Sequence, residues 1–365
     1  MLKSFKYRLY PTTHQAKVMQ TTLDECRWLY NHMLEERKNA WEQDEGSLNY
    51  HSQAVTIPKL KQERPSLSLA YSQVLQNVAV RVDLAFKAFF RRVKAGEKPG
   101  YPRFRGRGWY DSFTYPQSGF STGDDSVILS KIGTVKAILH RPITGEIKTC
   151  NVSRCSTGKW FVSFSCDSPD EPLLPCDKAV GIDVGLESFA TFSTGEVIRN
   201  PRFFRTDEKA LAKAQRKMAK FEKGTPGRRK ARKVVSHIHE RIANRRSNFA
   251  HQLSRRIVNE FGTICVEDIQ ANRMVHNHCL AKSIEDAAWS MFFGYLVYKA
   301  ASAGRRYTAD NPAYTSQDCS RCGHRQNLSL SDRVFNCPCC QLVLHRDHNA
   351  SLNILARGLA SLASA

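Results

Sequence analysis

Apolar and polar residues alternate at the start of the chain, Lys3 Ser4 Phe5 Lys6 Tyr7 Arg8 Leu9, which predicts a strand with one wet face that Pro11 stops. From Thr12 the period becomes helical. Thr12 and Gln15 stand at capping-box spacing, and Leu23, Trp28, Leu29 and Met33 carry the pattern to about Arg37. A second helix is predicted over roughly Leu69 to Val93, where Val78, Val82, Ala85, Phe86 and Phe89 recur at three- and four-residue intervals. Between Gly96 and Gly108 the glycines and prolines of KPGYPRFRGRG deny regular structure, leaving a basic loop with interleaved Tyr101 and Phe104. Short alternating runs from about Ser126 to Asp167, separated by turns such as Ser156-Thr157-Gly158-Lys159, suggest hairpins and a small antiparallel barrel. The proline- and acid-rich stretch Asp167 to Asp177 is the best linker candidate, and the main boundary is placed there.

Beyond it, Ala179 to Val184 is a near-continuous apolar strand of the buried type, followed by strands at Phe189 to Phe192 and at Val197, so a mixed sheet begins here. Thr206 is read as the cap of a helix whose first turn holds Asp207-Glu208 and whose stripe is Leu211, Ala214, Met218 and Phe221. Gly224 to Gly227 breaks it. A longer helix runs to about Glu260 with Val235, Ile238, Ile242, Phe249, Leu253 and Ile257 on one side. Another buried strand, Thr263 to Val266, ends in Glu267, and Asp347 stands directly before a helical run from Asn349 to Leu359. There is no internal repeat and no low-complexity tract.

Composition narrows the classes. A chain of 365 residues suffices for two or three domains, and 41% hydrophobic with 24% charged residues is a globular balance rather than a disordered or fibrous one. The longest uncharged runs, Pro65 to Val80 and Ala287 to Tyr298, fall short of the ~18 apolar residues a spanning helix needs. MLKSFKYRLYP lacks the apolar core of a secretory signal, so a cytoplasmic location and no membrane partner are expected. A net charge of +21 points to a polyanion, because each phosphate neutralised releases counterions. Over half of that surplus lies in residues 201 to 260, with eighteen Lys/Arg against five Asp/Glu. Since the apolar stripe there is used for packing, the basic face is read as a nucleic-acid contact, the alternative being a solvated helix pair.

Of twelve cysteines, seven are scattered and five crowd between Cys319 and Cys340. Cys319-Ser-Arg-Cys322, then fourteen residues, then Cys337-Pro-Cys-Cys340 is the spacing of two thiolate knuckles on one tetrahedral ion, which suits structural Zn²⁺. Cys339 breaks the pattern and is read as a spectator; His324 and His345 are alternative ligands. A sparser constellation is Asp183, Glu267 and Asp347. An acid inside an apolar strand is costly unless paired or bound to a metal. Alone, GIDVG fits a satisfied buried aspartate as readily as a catalytic one. Three carboxylates on successive α/β elements can hold two Mg²⁺ about 3.5 to 4 Å apart, one activating water and the other stabilising the leaving oxygen. That is the chemistry of nucleases with an RNase H-like sheet.

At these residues a family becomes recognisable. GIDVG (181–185), VED (266–268), TSQDCSRCGH (315–324), FNCPCC (335–340) and HRDHNASLNIL (345–355), in that order, resemble the TnpB family of insertion sequences, ancestral relatives of type V CRISPR effectors. YRLYPT (8–13) is similar to its opening motif, KPGYPRFRG to its basic loop, and AWSMFFGYLVYKAASAG to the helix before its zinc module. The resemblance covers almost the whole chain. His345 stands where many relatives have an acid, and Gln341 where a Gly usually follows the last Cys.

The resemblance implies a fold of α/β plus β-barrel: an RNase H-like (RuvC) nuclease domain (177–314 and 342–365) with an inserted zinc ribbon (315–341). A wedge β-barrel (1–10 and 111–176) would carry an inserted helical recognition domain (11–110). It implies an RNA-guided DNA endonuclease with a guide RNA and target double-stranded DNA as partners, cutting beside a short target-adjacent motif. Asp183, Glu267 and Asp347 would be the first, second and third RuvC-type acids, and Cys319, Cys322, Cys337 and Cys340 the zinc ligands. Asp268 competes with Glu267 but faces the other side of its strand. Hydrolysis by water in one step would leave 5′-phosphate and 3′-hydroxyl ends. The rival readings are a nuclease-silent RNA-guided repressor, a DNA transposase performing strand transfer, and a plain zinc-ribbon DNA-binding protein. Candidate nucleic-acid contacts are Gln73, Gln76 and Asn77, whose amides match adenine, and Arg103, Arg105, Arg107, Arg228, Arg229 and Lys230, which suit phosphates. Oligomeric state is not legible.

Overall fold

The computed structural model describes residues 1–43, 46–270, 274–329 and 332–364. The chain divides into two compact units, Met1–Pro169 and Asp170–Ala365.

In the first unit, strand β1 (Leu2–Tyr10) lies at the centre of a seven-stranded antiparallel sheet. Its other strands are β2 (Ser112–Tyr115), β3 (Phe120–Thr122), β4 (Ser126–Leu129), β5 (Gly133–Ile138), β6 (Glu146–Arg154) and β7 (Trp160–Asp167), in the order β2-β6-β7-β1-β5-β4-β3. The outermost strands β2 and β3 are consecutive in the chain, joined only through residues 116–119, so the sheet must curl until its ends meet. The ring centroids of Tyr115 on β2 and Phe120 on β3 lie 6.4 Å apart, edge to face. The result is a nearly closed barrel around Phe5, Tyr7, Leu9, Phe113, Val162 and Phe164.

Three helices fill the long connection from β1 to β2: α1 (Thr13–Glu42), α2 (Tyr50–Glu63) and α3 (Ser72–Lys94). The expected capping box forms, with Gln15 N donating to Thr12 Oγ1 and Thr12 N to Gln15 Oε1. The second predicted helix begins three residues later than expected, because Pro65–Leu69 winds into a separate 3-10 turn. Helix α2 carries no sequence signal of comparable strength, since it buries only Gln53, Ile57 and Leu60. It is fastened by polar contacts instead: Gln53 Nε2 donates to Met33 O (2.8 Å) and Glu36 (2.9 Å), and Arg37 Nε donates to Gln53 Oε1 (2.7 Å). Residues 97–106 have no regular structure, as their composition requires.

In the second unit the sheet order is β10-β9-β8-β11-β12, formed by β8 (Ala179–Val184), β9 (Ser188–Phe192), β10 (Val197–Arg199), β11 (Thr263–Glu267) and β12 (Arg306–Asp310). β8, β11 and β12 run parallel, whereas β9 pairs antiparallel with both β8 and β10. Helices α4 (Phe203–Ala219) and α5 (Pro226–Glu260) form a basic hairpin, and α6 (His278–Ala287) and α7 (Trp289–Ser302) precede β12. Helix α8 (Arg346–Ala363) lies against the sheet. Glycine decides how closely: a Cβ on Gly181 would stand 2.1 Å from Ser351 O, and one on Gly358 would stand 2.4 Å from Cys265 Sγ. Only hydrogen at these two positions lets α8 seat on β8 and β11.

Thr206 does not cap α4. The helix starts at Phe203, and Thr206 donates its hydroxyl back to Arg202 O at 3.2 Å. The cap is tertiary: buried Asp286 of α6 accepts from Phe204 N (2.8 Å) and Arg205 N (3.3 Å) and from Arg246 of α5 (2.9 and 3.2 Å). Removing a partner of a buried pair leaves a charge uncompensated. Asp286→Ala is therefore expected to cost about 3–5 kcal/mol, read as a lower denaturant midpoint. An unchanged midpoint would remove Asp286 as the lock on the hairpin.

Candidate functional site

The parallel register of β8 and β11 pairs Val266 with Ile182, so the next residues along, Glu267 and Asp183, stand side by side on one sheet face. Asp347 is not outside its helix, as the sequence suggested, but within the first turn of α8, whose N-cap is His345. The close seating of α8 brings that turn near enough for the Asp347 charge to act on Asp183, while among the described residues the four thiols, and not these acids, form a cluster of ligand atoms within 4.8 Å. Burial raises the Asp183 carboxyl well above the usual aspartate range, and the charges of Glu267 and Asp347 push it further; the Arg346 guanidinium opposes them. Glu267 is also raised, mainly by burial, while the Thr315 hydroxyl it accepts from and the Arg357 charge pull it back. Arg346 Nε stands 3.4 Å from Asp347 Oδ1. A buried carboxyl whose ionisation is opposed by two neighbouring carboxylates suits a divalent cation, whose charge would reverse that cost.

Asp268 is exposed, donates its N–H to Asp310 O (2.8 Å), and its charge acts on Tyr307 rather than on Asp183. The strand thus separates it from Glu267.

The four knuckle cysteines converge. The Sγ atoms of Cys319, Cys322, Cys337 and Cys340 all lie within 4.8 Å of one another, with Cys319–Cys340 at 3.5 Å and Cys322–Cys337 at 3.6 Å. Four sulfurs about 2.3 Å from a central ion would be about 3.8 Å apart, so the donor set fits tetrahedral Zn²⁺. Backbone N–H groups of Cys340 and Cys339 hold the Cys337 thiol down, whereas at Cys322 the pull of the His324 N–H is outweighed by burial and the neighbouring thiols, which push it up, as expected of one proton-sharing sulfur cluster. Cys339 itself is exposed and outside the cluster, and among the described residues neither His324 nor His345 joins it. Gln341 adopts φ +59°, the left-handed conformation in which glycine would be unstrained. A short hairpin, β13 (Val334–Asn336) with β14 (Val343–His345), carries the second knuckle.

The nucleic-acid candidates fare unequally. Gln73 Oε1 accepts from Ser118 N (3.2 Å) and Asn77 Oδ1 from Arg81 (3.2 Å), whereas Gln76 is exposed. Arg103, Arg105 and Arg107 are exposed, and the Asn31 amide holds the Arg105 backbone through both its N–H (2.7 Å) and its C=O (3.0 Å). Arg228 is occupied within the hairpin, donating to Met218 O (3.3 Å) and Phe221 O (2.6 Å). Arg229 and Lys230 remain exposed, as do Lys213, Lys217, Arg232 and Lys233 along the same hairpin. Sequence reasoning missed Thr315, Asn349 and Asn353, which hold the acids' surroundings together; amides four residues apart on a helix that also bears an acid were the available signal.

A strongly basic chain whose second unit gathers carboxylates on one sheet and closes four thiolates on a metal site has the make-up of a nucleic-acid-processing metalloprotein. Comparison with known proteins makes this specific. Residues 163–278 match a family model described as "Probable transposase", residues 289–354 one described as "Cas12f1-like, TNB domain", and residues 1–46 one described as "Helix-turn-helix domain". In this chain the last range folds as strand β1 and the single long helix α1. A Streptomyces pristinaespiralis protein named "Putative RNA-guided DNA endonuclease" is 38% identical over 99% of this chain and 90% of its own length. The Escherichia coli K12 protein named "Putative RNA-guided DNA endonuclease InsQ" is 30% identical over 99% and 94%. A cryo-EM structure of a Cas12f1–sgRNA–target DNA complex aligns over 97% of this chain and 99% of that one, at 16% identity and a TM-score of 0.38. The chain belongs to the TnpB family. Among the described residues no helix is long and apolar enough to cross a membrane.

Proposed function

We propose that the protein is an RNA-guided DNA endonuclease of an insertion sequence, in which the second unit is an RNase H-like (RuvC) nuclease domain interrupted by a zinc-ribbon module. The reading is carried by the register that sets Asp183 beside Glu267, with the Asp347 charge acting on Asp183, in a chain whose relatives over nearly its full length bear that name. Strand order β10-β9-β8-β11-β12, with the first three strands antiparallel and the rest parallel, supports the RNase H-like assignment. Residues 1–10 and 111–176 would be a wedge domain whose barrel lies in the first unit, with residues 11–110 as its recognition helices. Residues 177–314 and 342–365 form the nuclease and 315–341 the zinc module.

Asp183, Glu267 and Asp347 would hold Mg²⁺, which supplies an activated water and charge stabilisation at the leaving oxygen. The chain's own part is positional. The β8–β11 register fixes two carboxylates side by side, α8 delivers the third, and Arg346 moderates their repulsion. The basic hairpin and the arginine loop offer phosphate contacts that carry no sequence information, which leaves target choice to base pairing with the guide. Cys319, Cys322, Cys337 and Cys340 would hold Zn²⁺ structurally.

Purification from a host carrying the element is expected to bring down one discrete RNA, and the complex is expected to cut only DNA matched to that RNA, with Mg²⁺ present. Joining of donor ends to target DNA by RNA-free protein would overturn the reading in favour of strand transfer. Matched binding without cutting would leave a guided repressor.

A further inference from the structure

We propose that Thr315 is a positioning residue for Glu267, and that through it the thiolate knuckle forms part of the scaffold of the carboxylate site. This rests on the reading of Glu267 as a metal-holding acid.

Buried Thr315 directs its hydroxyl at Glu267 Oε1, with Pro312 O (3.1 Å) as a second acceptor for the same proton, and stands four residues before Cys319. Its own backbone is held from α8, where Asn353 Nδ2 donates to Thr315 O (2.8 Å) and to Asp318 O (2.7 Å). One turn earlier, Asn349 clamps both sides of Cys319, donating to Asp318 O (2.8 Å) and accepting from Ser320 N (2.9 Å). One turn later, Arg357 donates to Ala313 O (2.7 Å) and to Asp318 Oδ2 (2.8 Å), and Arg325 of the knuckle takes the other Asp318 oxygen (2.6 Å). Asn349, Asn353 and Arg357 recur every four residues, so they form one polar stripe on the helix that begins with Asp347. The stripe ties the first thiolate to two of the acids: to Asp347 along the helix, and to Glu267 through Thr315. A carboxylate fixed by a hydrogen bond keeps its oxygens aimed without losing side-chain entropy when a cation arrives, which is what the outer hydrogen bonds of metal sites supply.

The test compares the full-length Thr315→Val and Thr315→Ser proteins with the parent, by titrating Mn²⁺ and following free Mn²⁺ by electron paramagnetic resonance. Valine keeps the shape and removes the hydroxyl, whereas serine keeps the hydroxyl. Thr315→Val is expected to bind Mn²⁺ about tenfold more weakly, and Thr315→Ser to bind within about twofold of the parent. Zinc content and matched-DNA affinity without divalent ions are expected to be unchanged in both. Thr315→Ala, which introduces no new atom, gives the same reading if valine disturbs folding. Parental Mn²⁺ affinity in the variants lacking the hydroxyl would overturn the proposal. Glu267→Gln separates the two layers. If it too binds Mn²⁺ and cuts like the parent, the assignment of Glu267 fails; if it loses both while the Thr315 variants do not, only the positioning role fails.

Discussion

Asp183→Asn is expected to abolish DNA cutting and, at the same time, to stabilise the protein when Mg²⁺ is absent. On the proposed reading the aspartate holds a cation whose stabilisation of developing charge amounts to several kcal/mol, and each 1.36 kcal/mol is tenfold in rate, so a loss of at least ~10³-fold follows. The stability effect has the opposite sign for a related reason. Burial, Glu267 and Asp347 raise the folded carboxyl above its unfolded value of about 3.9. In acid the group is protonated in both states and contributes nothing. As pH rises the unfolded chain ionises first, so stability falls up to the raised folded value and stays lower above it. The neutral amide removes that loss, about 1.4 kcal/mol for each pKa unit of elevation. Thermal melts at pH 7 without Mg²⁺ are expected to show a higher Tm for Asp183→Asn, with the gap closing as Mg²⁺ is added and stabilises only the parent. Cutting at the parental rate would end the catalytic assignment, and a lower Tm would show that Asp183 is a satisfied structural acid.

The second large effect is expected at the knuckle. Among the described residues the apolar side chains buried there are Cys319, Phe335 and Cys337, with Leu328, Cys340 and Leu342 packed beside them, a small core on which to order a segment unaided. Structural Zn²⁺ contributes about 10–16 kcal/mol in small modules near pH 7, so it would dominate the stability of this one. Cys319→Ala is expected to drop zinc from one ion per chain to near none. Residues 315–345 would then lose protection from hydrogen exchange, while the barrel of the first unit keeps its own. Cys339→Ala, which changes an exposed thiol outside the cluster, is expected to do neither. Stoichiometric zinc in Cys319→Ala, or loss of zinc in Cys339→Ala, would break the ligand assignment.

Much of the candidate site was legible because its elements announce themselves locally. GIDVG reads as a buried strand with a misplaced acid, VED as the end of another, and the paired C-x-x-C spacing as a metal site, all from residue type and period alone. Elements held by polar contacts were not legible. Helix α2 buries only Ile57 and Leu60 as apolar residues, too few to betray it, and leans on Gln53, while the start of α4 is set by a carboxylate some eighty residues away. Thr206 offered the correct local chemistry for a cap, and Asp286 displaced it with two hydrogen bonds and an arginine.

By itself the sequence determined most of the strands (β2, β3 and β12 being among those it did not), the long helices, the basic surplus and which acids and thiols are candidates, because burial period, turn chemistry and ligand spacing act over a few residues. Which acids meet was decided by tertiary structure. The parallel register that places Asp183 beside Glu267, the two glycines that let α8 approach the sheet, and the polar stripe that ties the knuckle to Asp347 and Glu267 all join residues distant in the chain. Such contacts depend on the packing of whole elements, which no local pattern encodes.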